Sequence, residues 1–253
     1  MKEGGSFLQK RRLLRAMRRA SELPSQASRM SDAELAEAEL DIERLRLRVD
    51  DADRAAEAAR SALAKDLAVD GPEQCDWSLR PDLWKSPIRP RGAVAIPSPT
   101  ALSPEITIYH DCPAPELSYR QIRAAKGVAR YHLALEVYRF GGGFLSLAQT
   151  LPDAAIEGLT RSHFFVVTLE LDCEEPLEIY SRLNLQSGPN TEQLVREMPV
   201  KSGFALAEFD LAYTKINEKR MEKVWLDLIL EAPQMNRVLI RDMTITRAPR
   251  ADI

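Results

Sequence analysis

The sequence predicts a mainly β protein, an antiparallel two-sheet sandwich preceded by an α-helical N-terminal arm. Three observations carry this reading. From Glu105 to Arg247, short segments of alternating apolar and polar residues recur between turn signals, the period of half-buried strands. From Ser31 to about Asp66, apolar residues follow a 3-4 alternation instead, the spacing of a helical seam. Between them Pro72, Pro81, Pro87, Pro90, Pro97, Pro99 and Pro104 exclude regular helix and central strand. The chain therefore divides into a helical arm over 1–68, a proline-rich linker over 69–99 and a sandwich over 100–253.

The arm opens with a short basic helix from Ser6 to Ala20. Leu13, Leu14 and Met17 form a narrow apolar strip flanked by Lys10, Arg11, Arg12, Arg15, Arg18 and Arg19. Contact of residues 6–20 with an anionic surface fits this pattern. A frayed, solvated helix fits it too, because so short a helix is marginal in water. Leu23-Pro24-Ser25 is expected to break the helix. The next helix starts at Ser31, with Glu34 three residues on to complete a capping box, and runs to about Asp66. Its seam is Leu35, Ala38, Ile42, Leu45, Val49, Ala52, Ala56, Ala59 and Leu63; the alanines bury little area, so the drive to pair is weak. Self-association through residues 31–66, a helical hairpin and a helix lying on the second domain all satisfy it.

Charge is unevenly spread along this region. Residues 1–30 hold eight Lys or Arg against two Glu, and residues 31–68 hold six basic against eleven acidic side chains. The whole chain of 253 residues is near balance at −3, which gives no general pull toward nucleic acid. Cys75, Cys112 and Cys173 are too widely spaced for a zinc site or a disulfide framework. The arginines of the first helix interrupt any secretory apolar run, no transmembrane segment follows, and the cytoplasm is the expected location.

In the linker, Trp77 and Trp84 are expected to anchor the chain onto the following domain, since two tryptophans in a free segment would expose costly apolar area. Strands then follow in order. Glu105 to His110 is one, closed by Asp111-Cys112-Pro113-Ala114-Pro115, and Ser118 to Ala124 gives no decisive pattern. Tyr131 to Phe140 and Phe144 to Thr150 are expected to pair as a hairpin across Gly141-Gly142-Gly143, whose glycines would supply positive φ. Pro152 to Leu159 reads as one helical turn and His163 to Asp172 as an apolar strand. Leu177 to Gln186 alternates, and Gly188-Pro189-Asn190 turns it into Thr191 to Val200. In Ala205 to Tyr213, Phe209, Leu211 and Tyr213 share the inward parity. Val224, Leu226, Leu228 and Leu230 do so in the next strand, with Trp225, Asp227 and Ile229 opposite. Arg237 to Arg247 swaps parity between Ile240 and Met243, so a bulge is expected near Asp242.

Catalytic signatures are absent: there is no Gly-x-Ser-x-Gly, Gly-x-Gly-x-x-Gly, phosphate loop or His-Glu-x-x-His, and His110, His132 and His163 lack metal-ligand spacing. No catalytic, metal or cofactor residue is assigned. If the strands at 177–186, 205–213 and 224–231 are neighbours, Tyr180, Arg182, Asn184, Glu208, Asp210, Trp225 and Asp227 share one outer face. Aromatic rings beside planar polar groups suit a sugar, and equally a protein surface. Ordinary solvated strands look the same.

The phrases Cys75-Asp76-Trp77, Tyr109-His110-Asp111-Cys112-Pro113, Gly188-Pro189-Asn190 with Val195-Arg196-Glu197-Met198-Pro199, and Glu208-Phe209-Asp210-Leu211-Ala212-Tyr213 with Lys223-Val224-Trp225-Leu226-Asp227-Leu228-Ile229 resemble an uncharacterised alphaproteobacterial family, a domain of unknown function, over about residues 72–253. Val238 to Ile245 is similar to the last strand of jelly-roll carbohydrate-binding modules. That second resemblance implies a jelly-roll-like sandwich. It also raises a structural calcium, for which only Glu105 and Asp242 offer carboxylates, so no ion is assigned. The expected function is non-enzymatic binding of a glycan or protein surface, with the helical arm as tether; the alternative is an assembly protein that oligomerises through its N-terminal helices.

Overall fold

In the computed structural model, which describes residues 4–63, 69 and 71–250, the chain divides into two units, Met1–Lys65 and Asp66–Ile253. The first is a helical hairpin of α1 (Gly4–Gln26) and α2 (Asp32–Leu63), joined through a 3-10 turn at Ala27–Arg29. Ala16 and Ala38 are buried between the helices, and Arg19 Nη1 meets Glu37 Oε1 at 2.7 Å. α1 does not break at Leu23-Pro24-Ser25 as expected; Pro24 lies in its last turn, where few hydrogen bonds remain to be lost. Serine hydroxyls serve nearby carbonyls there, with Ser21 Oγ donating to Arg18 O and Ser25 Oγ to Glu22 O. At the start of α2, Glu34 accepts from both the amide and the hydroxyl of Ser31, so only the glutamate half of the capping box forms. Of the seam, Leu35, Ile42 and Leu45 are half-buried, while Val49, Ala52, Ala56 and Ala59 are exposed. The expected end near Asp66, the side chain of Leu63 and those of Lys10, Arg11 and Arg12 lie outside the described residues.

The second unit is mostly strand: β1 (Trp77–Leu79), β2 (Gly92–Val94), β3 (Thr100–Ala101), β4 (Ile106–His110), β5 (Leu117–Arg123), β6 (Tyr131–Val137), β7 (Phe144–Thr150), β8 (His163–Cys173), β9 (Glu178–Ser187), β10 (Asn190–Glu197), β11 (Phe204–Asp210), β12 (Met221–Glu231) and β13 (Asn236–Pro249), with a short helix α3 (Asp82–Lys85). They form two antiparallel sheets packed as a jelly-roll-like sandwich. The seven-stranded sheet has the order β11-β8-β13-β6-β5-β2, with β1 also on β13, and the six-stranded sheet the order β10-β9-β12-β7-β4-β3. The inward parities predicted for β9, β12 and β13 fill the core with Leu183, Leu185, Leu226, Leu228, Val238 and Ile240. The bulge expected near Asp242 is present as a register shift between Ile240 and Asp242.

Three expectations change. Residues 77–94, expected as a linker, contribute β1, α3 and β2 to the sandwich, and Trp84 is fully buried with Nε1 donating to Ile240 O at 3.2 Å. β6 and β7 do not pair as a hairpin, because β6 lies between β13 and β5 in one sheet and β7 between β12 and β4 in the other. Gly141-Gly142-Gly143 therefore carries the chain between sheets, and none of the three has positive φ. Tyr213 is 87 % exposed rather than inward, since β11 ends at Asp210 and the parity ends with it.

Candidate functional site

The outer face of the six-stranded sheet forms a cleft of about 620 Å³. Strand register fixes what faces it. Gln193, Asn184, Trp225 and Thr150 form one row across β10, β9, β12 and β7. Val195, Arg182, Asp227 and Ala148 form the next, and Glu197, Tyr180, Ile229 and Ser146 the third. β4 extends these rows with Thr107 opposite Ala148 and Tyr109 opposite Ser146. Small residues at 146 and 148 leave the hollow, and Tyr109, Phe144 and Trp225 give it aromatic walls.

Asp227 organises the polar centre. Its Oδ2 accepts from Arg182 Nε at 2.9 Å and from Asn184 Nδ2 at 2.9 Å, with Arg182 Nη2 at 2.8 Å. Asn184 is fully buried and saturated, since its amide also donates to Arg182 O and Trp225 O while its oxygen accepts from Gln193 Nε2 at 3.0 Å. Asn184 thus holds the network rather than offering a contact. Two groups at its centre and floor stand out among those with unused bonding capacity. Asp227 Oδ1 makes no bond among the described residues, and Ser146 Oγ is buried without a partner. A buried hydroxyl with no partner is costly, which marks the cleft floor as a place where a ligand group would be welcome.

Of the residues expected on one face, Tyr180, Arg182, Asn184, Trp225 and Asp227 come together. Tyr180 is turned aside, its hydroxyl donating to Glu178 Oε2 at 3.3 Å, and the Glu178 charge pushes its pKa up. Glu208 and Asp210 do not join them. They lie on β11 in the opposite sheet, because β11 pairs with β8 rather than with β9 or β12. The same topology keeps Asp227 on a different sheet from Glu208 and Asp210, so the three carboxylates do not converge on one face. Ser146, Tyr109, Phe144, Gln193 and Lys223 were not anticipated. The alternation Phe144, Ser146, Ala148, Thr150 was the available signal, masked by assigning β7 to a hairpin with β6.

A second polar cluster closes the other sheet. Arg247 is buried and bidentate to Asp76 at 2.9 and 3.0 Å, and His163 Nε2 lies 3.1 Å from Asp76 Oδ2. Thr160 N donates to His163 Nδ1 at 3.1 Å, so Nε2 carries the proton given to Asp76. Arg247 Nη1 caps Ala155 O and Glu157 O. This is a tie between the segment before β1 and β13, not a nucleophile and its base. Burial raises the Asp76 pKa, but the hydrogen bonds and charge of Arg247, with His163, bring it below the ordinary carboxylate value. Asp242, a candidate metal carboxylate, is held by Arg80 at 2.9 Å, and no group of three or more potential ligands is gathered among the described residues. No helix among them is long and apolar enough to cross a membrane.

Among solved structures, the chain is similar to the enzymatically active domain of tailspike protein 4 of bacteriophage CBA120, with 8% identity and a TM-score of 0.39 over 58% of this chain and 19% of that one. The match thus spans about a fifth of the length of that domain. It is similar to the C-terminal family 22 carbohydrate-binding module of Clostridium thermocellum Xyn10B, with 7% identity and a TM-score of 0.36 over 73% and 99% of the two chains. The CBM22-1 xylan-binding domain of Paenibacillus barcinonensis Xyn10C gives 8% identity and a TM-score of 0.37 over 72% and 100%. No curated protein matches the sequence. A family of unknown function (DUF6478) matches residues 1–253, extending the resemblance expected over 72–253 to the helical hairpin.

Proposed function

Because the chain belongs to this family, whose function is unknown, its activity has to be read from the cleft itself, and we propose that it is a non-enzymatic binding protein that takes a glycan on the six-stranded sheet. One observation carries the reading: in an aromatic-walled cleft, Ser146 Oγ is buried without a partner and Asp227 Oδ1 makes no bond among the described residues. A sugar supplies what they lack. Its hydroxyls donate to the carboxylate and pair with the serine, and its apolar ring face packs on Trp225. The helical hairpin then serves as tether.

The test is a glycan array with the full chain, followed by titration with the best ligand. Trp225→Ala is expected to weaken binding at least tenfold. Ser146→Ala separates ligand binding from structural maintenance: removing an unsatisfied buried hydroxyl should raise stability by about 1 kcal/mol while weakening binding. Retention of glycan binding by both variants, or no glycan bound by the intact protein, sinks the reading. A second reading, assembly through α2, draws on Val49, 60% exposed on the apolar seam. A Val49→Glu chain that sediments as the wild type does would remove it.

A further inference from the structure

We infer that the glycan taken by this cleft is anionic, with Lys223 as the partner of its acidic group; the inference rests on the glycan reading above and adds the ligand's charge to it. The charges lining the cleft are Arg182, Asp227 and Lys223; Glu197, on the same face of the sheet, is three rows away from Lys223 on edge strand β10 and outside the lining. Arg182 and Asp227 neutralise one another at 2.8 Å. Lys223 makes no ion pair among the described residues, and its Nζ lies 5.4 Å from the centroid of the Trp225 ring. The preceding Glu222 is the extra residue of a bulge between Met221 and Lys223, and its carboxylate accepts from Gln186 Nε2 at 3.3 Å. The lining therefore holds one uncompensated positive charge, and it sits on the aromatic platform.

That position discriminates between sugars. A neutral ring that stacks on Trp225 must take the face from the ammonium, exchanging one attraction for another of similar size. A ring that carries a carboxylate or sulfate at its edge lets the ammonium move aside and still bond, and a charge-assisted hydrogen bond is roughly twice as strong as a neutral one. The expected preference is roughly tenfold, the worth of one such bond. Asp227 does not cancel the effect, because Arg182 already holds it.

The experiment is calorimetric titration of the full chain with matched pairs: oligogalacturonate against its methyl ester, glucuronoxylan against unsubstituted xylan, and dextran sulfate against dextran. The first two pairs report a uronate and the third a sulfate. The anionic member of at least one pair should bind roughly tenfold tighter, and the gap should shrink at high salt, as expected for a charge contact near the surface. Lys223→Met should bring the ratio close to one and Lys223→Arg should restore it, with thermal unfolding unchanged in both. Equal or tighter binding of the neutral members overturns the inference and leaves the glycan reading standing. A preference for anionic members that survives Lys223→Met and Trp225→Ala overturns it too, because the charge contact then lies elsewhere. If no member of any pair binds, the glycan reading itself fails.

Discussion

Gly142 shows that a residue's reason can differ from its type. The glycine run was expected to supply positive φ to a hairpin, yet what Gly142 supplies is room. A Cβ there would collide with Asp111 Oδ1 and stand 2.8 Å from Cys112 N. The Asp111 carboxylate needs that space, because it accepts from Gly143 N at 3.0 Å and Phe144 N at 3.2 Å, bonds that hold its pKa below the usual range. Gly142→Ala should cost about 1–3 kcal/mol by urea unfolding, the usual cost of overpacking, and Asp111→Ala in the same background should return part of it. At Asp76 the folded pKa lies below the unfolded one, so its contribution is present above about pH 4 and is lost as pH falls through the lower folded value. The difference in urea midpoint between wild type and Asp76→Asn should therefore be full near neutral pH and close in acid. A difference that grows in acid would contradict this.

At the scale of elements, alternation is legible and partnership is not. The inward residues of β9, β12 and β13 could be read directly, and so could the β13 bulge, because a parity swap leaves no other choice. Arg182, Asn184, Trp225 and Asp227 came out together because β9 and β12 alternate and do pair. Glu208 and Asp210 did not, since a strand's parity is the same whichever sheet it joins. The proline-dense stretch misled for a related reason: prolines 81, 87, 90, 97 and 99 sit between elements too short to show a period. What fixes those elements is long-range. Arg80, with a side chain 4% exposed, grips Asp242 at the β13 bulge from 162 positions away. Arg80→Ala should cost about 3 kcal/mol by leaving Asp242 partly buried and unpaired, whereas Arg80→Met with Asp242→Leu should recover much of that. Chemical denaturation of both variants checks it.

For the whole molecule, the boundary of the folded sandwich is testable. Its core runs without interruption from Leu83 and Trp84 into Phe165 and Phe209, and the segment before residue 100 carries both arginine ties to β13, as Arg80 in one and Asp76 in the other. A fragment of residues 66–253 should unfold in one cooperative transition with native near-ultraviolet circular dichroism. A fragment of residues 100–253, the boundary expected from composition alone, should lose both properties. Equal behaviour of the two would show that β1, α3 and β2 are dispensable.

The place of β13 has a consequence in time. It lies between β8 and β6, and β1 joins it too, yet a ribosome makes it after all twelve other strands. Until residues 236–249 emerge, β1 has no partner strand and the rest of the larger sheet stays in two parts, with Val167, Leu169 and Leu171 on one and Leu133 and Leu135 on the other. The nascent chain must therefore carry apolar strands with open edges through most of its synthesis, a state that invites aggregation and gives a chaperone something to hold.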